Sequence, residues 1–369
     1  MDLFGEPIVE EAEEGGEALP ASTPLADDGP VLFEHPRTMP FCIGQEAAEQ
    51  TLIELLHTGR VPHGLILAGQ KGVGKATLAY RLARFLFSGA PIENTLEVDP
   101  QSKAFRLVAS GGHPDLLTIE RVYDATKNKT QETLPVAELR KVEPFLRRTA
   151  SEGGWRVVII DDADTMNRNA QNALLKILEE PPKQTMIILI THRIGALIPT
   201  IRSRTRTLNC QTLTPDVITD LLTQKGHYID PYQGETLAAM AEGSFGQALG
   251  ILEEGGLEML ESVIAFLGDA PDWVKIHHFS DTIAKSNDYK AFTQIMRWLF
   301  KTLSFAKARG RALSPASLNE APLSVMLENS SLARLLEICE KLEQNFETCE
   351  RANLDKKQAV LKAFQIIYA

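Results

Sequence analysis

Gly69-Gln70-Lys71-Gly72-Val73-Gly74-Lys75-Ala76 is the stretch on which the reading of this chain turns. It meets the phosphate-binding-loop pattern at every position but the last, where Ala76 stands in place of the hydroxyl that contacts magnesium. In such a loop, backbone N–H groups point at phosphate oxygens and the positive end of the following helix adds to their pull. Lys75 is the residue placed to reach terminal phosphates. Thr77 comes one residue too late to replace the hydroxyl without a shift of register. Leu65-Ile66-Leu67 runs into the loop as a short apolar strand, and residues 77–87 continue as a helix with Leu78, Leu82, Phe85 and Leu86 on one face. Strand, glycine-rich turn and helix in that order weigh phosphate-binding ancestry above the bland alternative, a turn that binds nothing.

Working outward, the region from Phe41 to about Cys210 alternates strand and helix. Leu116-Leu117-Thr118-Ile119, Val157-Val158-Ile159-Ile160 and Met186-Ile187-Ile188-Leu189-Ile190 read as further strands. The middle one is uniformly apolar, as a parallel strand covered on both faces should be. Such alternation predicts a parallel sheet with flanking helices. Residues 136–148 look helical, with a kink or restart expected at Pro144. Residues 168–180 form a helix ended by Pro181-Pro182, with Ala170, Ala173, Leu174, Ile177 and Leu178 on its buried face and Asn172, Lys176 and Glu179 elsewhere on its surface.

Three groups of polar residues extend the candidate site. Asp161-Asp162-Ala163-Asp164 closes the Val157 strand. An acid there holds magnesium in phosphoryl-transfer sites, and the next acid, usually Glu, orients water; here it is Asp162. The bland reading is a polar strand end, or a helix cap by Asp164. Thr191, at the end of the Met186 strand, joins the candidate nucleotide-binding set of Gly69, Gly72, Gly74, Lys75, Ala76, Thr77, Asp161 and Asp162. Pro199-Thr200-Ile201-Arg202-Ser203-Arg204 follows. An arginine projecting from such a segment can neutralise charge on a neighbouring subunit's nucleotide. Spacing alone favours the plainer view that Arg202, Arg204 and Arg206 form a solvated basic face. Arg140, Lys141, Arg147 and Arg148 form a second basic cluster, for which DNA phosphates and ordinary solvation stand level.

The chain has 369 residues, 44% of them hydrophobic, enough for two or three domains with separate cores. Net charge is -11, but residues 1–30 hold nine acids and no Lys or Arg, which leaves the body near neutral. Residues 1–37 therefore read as a disordered acidic tail. Any contact with nucleic acid must use a local basic face. No stretch has the apolar length to span a bilayer and the start lacks a signal-peptide pattern, so no membrane partner is expected. Cys42, Cys210, Cys339 and Cys349 form no Cys-x-x-Cys pair, and a reduced, cytoplasmic protein without zinc is expected. After Cys210 helical patterns dominate. Thr214-Pro215-Asp216 is a helix start with Thr214 as cap, Gly243-Ser244 and Gly255-Gly256 are breaks, and residues 310–315 look like a loop. The expected division is an α/β domain over 38–210, a small helical lid over 211–256 and an all-α domain over 257–369. No paired-carboxylate two-metal site for polymerase chemistry is evident.

These elements, in this order, resemble the bacterial clamp-loader subunits of the AAA+ class. The most specific likeness is Leu174-Leu175-Lys176-Ile177-Leu178-Glu179-Glu180-Pro181-Pro182, followed by Ile201-Arg202-Ser203-Arg204. Arg60-Val61-Pro62-His63-Gly64, Gly112-His113-Pro114-Asp115-Leu116 and Ala352-Asn353-Leu354-Asp355-Lys356-Lys357 are similar too, so the likeness runs from about residue 38 to 369. It implies an α/β P-loop AAA+ domain, a helical lid and an all-α C-terminal collar that joins subunits. It also implies a place in the DNA polymerase III clamp loader, with the motor subunits gamma and tau, the delta subunit, and, through the complex, the sliding clamp and primer–template DNA as partners. The departures matter as much. Motor subunits carry a complete loop and an arginine where Gly246 stands; Thr205 replaces the usual Cys after Ser-Arg; a four-cysteine zinc module is missing. The resemblance thus implies a subunit whose own ATP and magnesium site is weak or silent and whose Arg204 acts in trans as an arginine finger. Enzyme activity would belong to the holoenzyme and not to this chain alone. The competing reading is an active ATPase motor using Lys75, Asp161 and Asp162 in cis, and a third is a scaffold that ignores nucleotide.

Overall fold

The structure is a computed structural model that describes residues 35–89, 91, 93–121, 123–124, 129–131, 133–151, 154–267, 271–286, 288–315, 318 and 321–369. The acidic stretch up to residue 34 lies outside the described residues. Residues 35–37, assigned to that tail from sequence, are held against the body. Arg84 donates to the Arg37 carbonyl at 2.9 Å, and the His35 ring stands edge-on to Tyr80.

The N-terminal region opens with α1 (Glu46–His57), β1 (Gly64–Ala68), α2 (Lys75–Ser88), α3 (Lys103–Ala109), β2 (Leu116–Ile119) and a two-residue hairpin of β3 (Tyr123–Asp124) and β4 (Lys129–Thr130). It continues through α4 (Val136–Leu139), α5 (Val142–Arg147), β5 (Arg156–Ile160), α6 (Arg168–Glu179), β6 (Thr185–Thr191), α7 (Pro199–Arg202) and β7 (Arg206–Asn209). Five strands form one sheet in the order β2-β5-β6-β1-β7, and every pairing in it is parallel. Side chains alternate between two cores because successive strand residues face opposite sides. Leu65, Leu67, Val157, Ile159, Ile188 and Ile190 face α1 and α2. Ile66, Val158, Ile160, Ile187 and Leu189 face α4, α5 and α6. Leu65, Ile66 and Leu67 are fully buried, each stabilising the fold by about 1.5–3 kcal/mol. The base of the loop is therefore anchored whatever the loop binds.

The helix expected over 136–148 is two helices. The break falls at Arg140-Lys141 rather than at Pro144, which is the third residue of α5, where a missing N–H costs nothing. The edge strand β7 is absent from the sequence reading. Only Leu208 of its four residues is buried, so it lacks the apolar run that marks β5 and β6.

Beyond Cys210 the described residues are helical. The lid holds α8 (Pro215–Gln224), α9 (Pro231–Met240) and α10 (Phe245–Glu253) around Leu213, Ile218, Leu222, Leu237 and Leu249. Thr214 sits at the start of α8, but its hydroxyl makes no capping bond; Pro215 fills the first position instead. The C-terminal helices α11 (Gly256–Leu267), α12 (Trp273–Lys285), α13 (Tyr289–Arg309), α14 (Ala321–Asn329), α15 (Leu332–Ala352) and α16 (Lys356–Tyr368) pack around Phe292, Phe300, Phe346 and Phe364. No helix among the described residues is long and apolar enough to cross a membrane.

Candidate functional site

The carboxyl ends of β5, β6 and β1 lie side by side, since Ile160 pairs with Leu189 and Ala68 with Thr191. That end of a parallel sheet is where ligands bind in open α/β folds. It gathers the loop after β1, Asp161 and Asp162 after β5, and Thr191 at the end of β6. The sequence-predicted nucleotide residues therefore converge. The side chains of Lys75, Asp161, Asp162 and Thr191 are already engaged within the protein.

Lys75, 4% exposed at the start of α2, folds back onto its own loop and donates to the Gly69 carbonyl at 2.9 Å and to that of Gln70. Burial lowers its pKa, partly offset by Asp161. Gly69 N–H donates to the Thr191 carbonyl at 3.3 Å. The Gly74 carbonyl accepts from the Cys42 thiol at 3.5 Å. Ala76 packs into the core beneath the loop, and Thr77 is half-buried one residue further into α2. Gly72 touches the lid. Its φ is +78°, and a Cβ there would stand 2.3 Å from Ser244 Oγ and 3.3 Å from the Gly246 backbone. Gly246 N–H donates to the Gly72 carbonyl at 3.3 Å, and Gln70 donates to Glu242 at 2.7 Å. Ser244 caps α10 by accepting from Gln247 N–H, so the lid reaches the loop with its helix start already satisfied. Gln45 ties the same parts from beneath, donating to the carbonyls of Val73 at 2.9 Å and Gln211 at 2.8 Å.

The acids form a second cluster. Burial, and then the neighbouring Asp162, push the Asp161 carboxyl up to about 7, although it accepts from Asp162 N–H at 2.8 Å. Asp162 accepts from Arg121 at 2.6 Å and lies 3.4 Å from His192 Nε2. Asp164 does not cap α6; that role falls to Asn167, which accepts from Ala170 N–H at 2.9 Å. Asp164 instead accepts from the Thr191 hydroxyl at 3.3 Å, His192 N–H at 3.0 Å and Arg193 at 3.4 Å. Burial raises its pKa, but these donors carry it below the usual value. Asp162, Asp164 and His192 bring one ligand atom each within 4.8 Å of one another, yet both carboxylates are already engaged by arginines.

Arg204 belongs to the other end of the sheet. Arg206 pairs with Leu65 at the start of β1, so Arg204 precedes the strands that the loop follows. Gly69 lies four positions beyond Leu65, about 13 Å along a strand. Arg204 is 37% exposed and pairs with Glu179, at the end of α6, at 2.8 Å. It also donates to the Thr200 carbonyl at 3.2 Å. Arg202 and Arg206 are exposed. Two residues set this arm: Gln171, which the sequence reading did not single out, and Gly64, which it named only within the Arg60–Gly64 likeness. Gln171, buried in α6, donates to the Met166 and Ala196 carbonyls and accepts from Ile198 N–H at 2.8 Å. Gly64 lets the arm close, because a Cβ there would stand 2.7 Å from Thr205 and 3.0 Å from Leu178. In the second basic cluster, Lys141 pairs with Glu138 at 2.8 Å and Arg147 with Glu143 at 3.0 Å. Those pairings favour the solvated reading.

The family model described as DNA polymerase III, delta subunit, matches residues 44–214. The DNA polymerase III subunit delta' of Pseudomonas aeruginosa is 37% identical over 142 residues, which are 38% of this chain and 41% of that protein. That of Escherichia coli is 28% identical over 306 residues, 80% of this chain and 86% of that protein. The tau subunit of Escherichia coli is 28% identical over 248 residues, 64% of this chain and 36% of that protein. The matched stretch thus spans about two fifths of the Pseudomonas relative's length. With its parallel P-loop domain, its helical lid and its all-α C-terminal stretch, the chain is similar to the delta' subunits of DNA polymerase III.

Proposed function

We propose that this chain is a non-motor, stator-like subunit of a DNA polymerase III clamp loader, lending Arg204 in trans to a motor subunit while its own pocket stays idle. The carrying observation is that Arg204 sits at the opposite end of the sheet from its own loop, beyond the reach of one side chain. Its guanidinium can serve only a nucleotide held by another subunit. There it would stabilise charge on the transferring phosphoryl group, a contribution of about 10³-fold or more. The gamma or tau motor subunits and delta are the proposed neighbours. Sliding clamp and primed DNA are engaged through the complex, in the cytoplasm.

The private pocket suits a magnesium nucleotide poorly. Ala76 offers no hydroxyl, Asp161 is buried with a raised pKa, Lys75 is spent on loop carbonyls, and Gly246 brings no sensing charge. The motor reading rests on the intact Gly69, Gly72, Gly74 and Lys75 and on the likeness to tau. These four deficits weigh against it. The test is Arg204→Ala in a loader reconstituted with motor subunits, delta, clamp and primed DNA. A fall in DNA-stimulated ATP hydrolysis of about 10³-fold at the neighbouring site is expected; unchanged hydrolysis removes the trans role.

A further inference from the structure

Glu179 is the last residue of α6, and Glu180, Pro181 and Pro182 follow it. A carboxylate there faces the negative end of the helix dipole, an unfavourable place for an acid. It is stabilised by Arg204, whose Nη2 lies 2.8 Å from its Oε1. Both partners are solvent-accessible, at 37% and 50% side-chain exposure, so the pair can open without unfolding anything. The frame around it is tight. Leu178 and Thr205 meet over Gly64, and Gln171 bonds α6 to the segment entering α7, so the two side chains are brought together by rigid elements and not by a floppy loop. Lys176, one turn before Glu179, is occupied by Glu143 at 2.9 Å and does not compete for it.

We propose that Glu179 is a positioning residue for Arg204: it holds the guanidinium at the subunit surface until a neighbour's nucleoside triphosphate replaces the carboxylate as its partner. The proposal rests on the trans role of Arg204. A guanidinium forms bidentate bonds with carboxylate and phosphate alike, so the exchange swaps one anion for another of the same geometry. Arg204 also donates to the Thr200 carbonyl at 3.2 Å, so Glu179 and that carbonyl together fix the guanidinium while it stays solvent-accessible. The cost is that the neighbour's phosphate must displace the carboxylate.

The experiment compares wild type, Glu179→Gln, Glu179→Asp, Arg204→Ala and the Glu179→Gln/Arg204→Ala double variant in the complete reconstituted loader, with ATP as the varied substrate. Glu179→Gln should lower the apparent KM for ATP by about 2- to 5-fold at low salt, the range of one exposed ion pair, with kcat unchanged. Glu179→Asp should restore most of the wild-type KM, and the difference should shrink as salt screens the pair. In the Arg204→Ala background, Glu179→Gln should change nothing. An unchanged or raised KM in Glu179→Gln overturns the positioning role, as does the same KM shift in the absence of Arg204. If Arg204→Ala itself leaves hydrolysis unchanged, the trans role fails instead, so the two failures are distinguishable.

Discussion

The two ends of one parallel sheet behave differently. At the carboxyl end, the loop after β1 is closed on itself: its lysine is buried against loop carbonyls, its middle glycine touches the lid, and its acids are paired or buried. At the amino end, Arg204 is held by the Glu179 carboxylate and the Thr200 carbonyl and reaches the surface. The same apolar strands support both. The comparison teaches that the packing of β1 and α2 holds a phosphate-loop backbone in place whatever the loop binds.

The closed end gives the largest expected stability effects. Gly72→Val places a β-branched residue at φ +78°, with its Cβ on Ser244 Oγ. Left-handed strain and overpacking together should cost about 2–6 kcal/mol. Chemical denaturation should show it, with the lid separating from the loop; a loss below about 1 kcal/mol would mean that the contact is loose.

Asp161 sharpens the same point through pH. Its folded pKa of about 7 lies above the ordinary carboxylate value of 3.8, so the folded state binds the proton more tightly than the unfolded state. Stability is then lost as pH rises from about 4 to about 7, and the full penalty applies above that. Asp161→Asn keeps an acceptor for Asp162 N–H and removes the penalty. The variant should be more stable by about 1–4 kcal/mol at pH 8, with the gain vanishing near pH 4. An unchanged stability at pH 8 would mean that the carboxyl is not penalised by burial. The smallest effect is at the open end. Asn167→Ala removes the cap of α6 and should cost about 1 kcal/mol. Arg204-dependent hydrolysis should survive it, since Gln171 still ties α6 to α7.

Much of this was legible in the sequence. β5 and β6 announce themselves as unbroken apolar runs because both faces of a parallel strand are buried. β7 did not, since an edge strand buries one residue of four, and the hairpin of β3 and β4 is too short to leave a pattern. The letters of the loop were readable, including the missing hydroxyl at Ala76. What Lys75 does with its charge was not, because its partners are backbone carbonyls. The Gly72 contact joins residues 172 or more positions apart, and the Glu179–Arg204 pair spans 25, so neither follows from local periodicity. Glu179 carried one hint, an acid at a helix end where the dipole disfavours it.

The most direct measurement sets Lys75→Ala beside Arg204→Ala in the same reconstituted loader and reads ATP hydrolysis with clamp and primed DNA present. Lys75→Ala should match wild type while Arg204→Ala falls by about 10³-fold at the neighbouring site. Loss of turnover in Lys75→Ala with Arg204→Ala unaffected would contradict the trans role and would mark this chain as a motor.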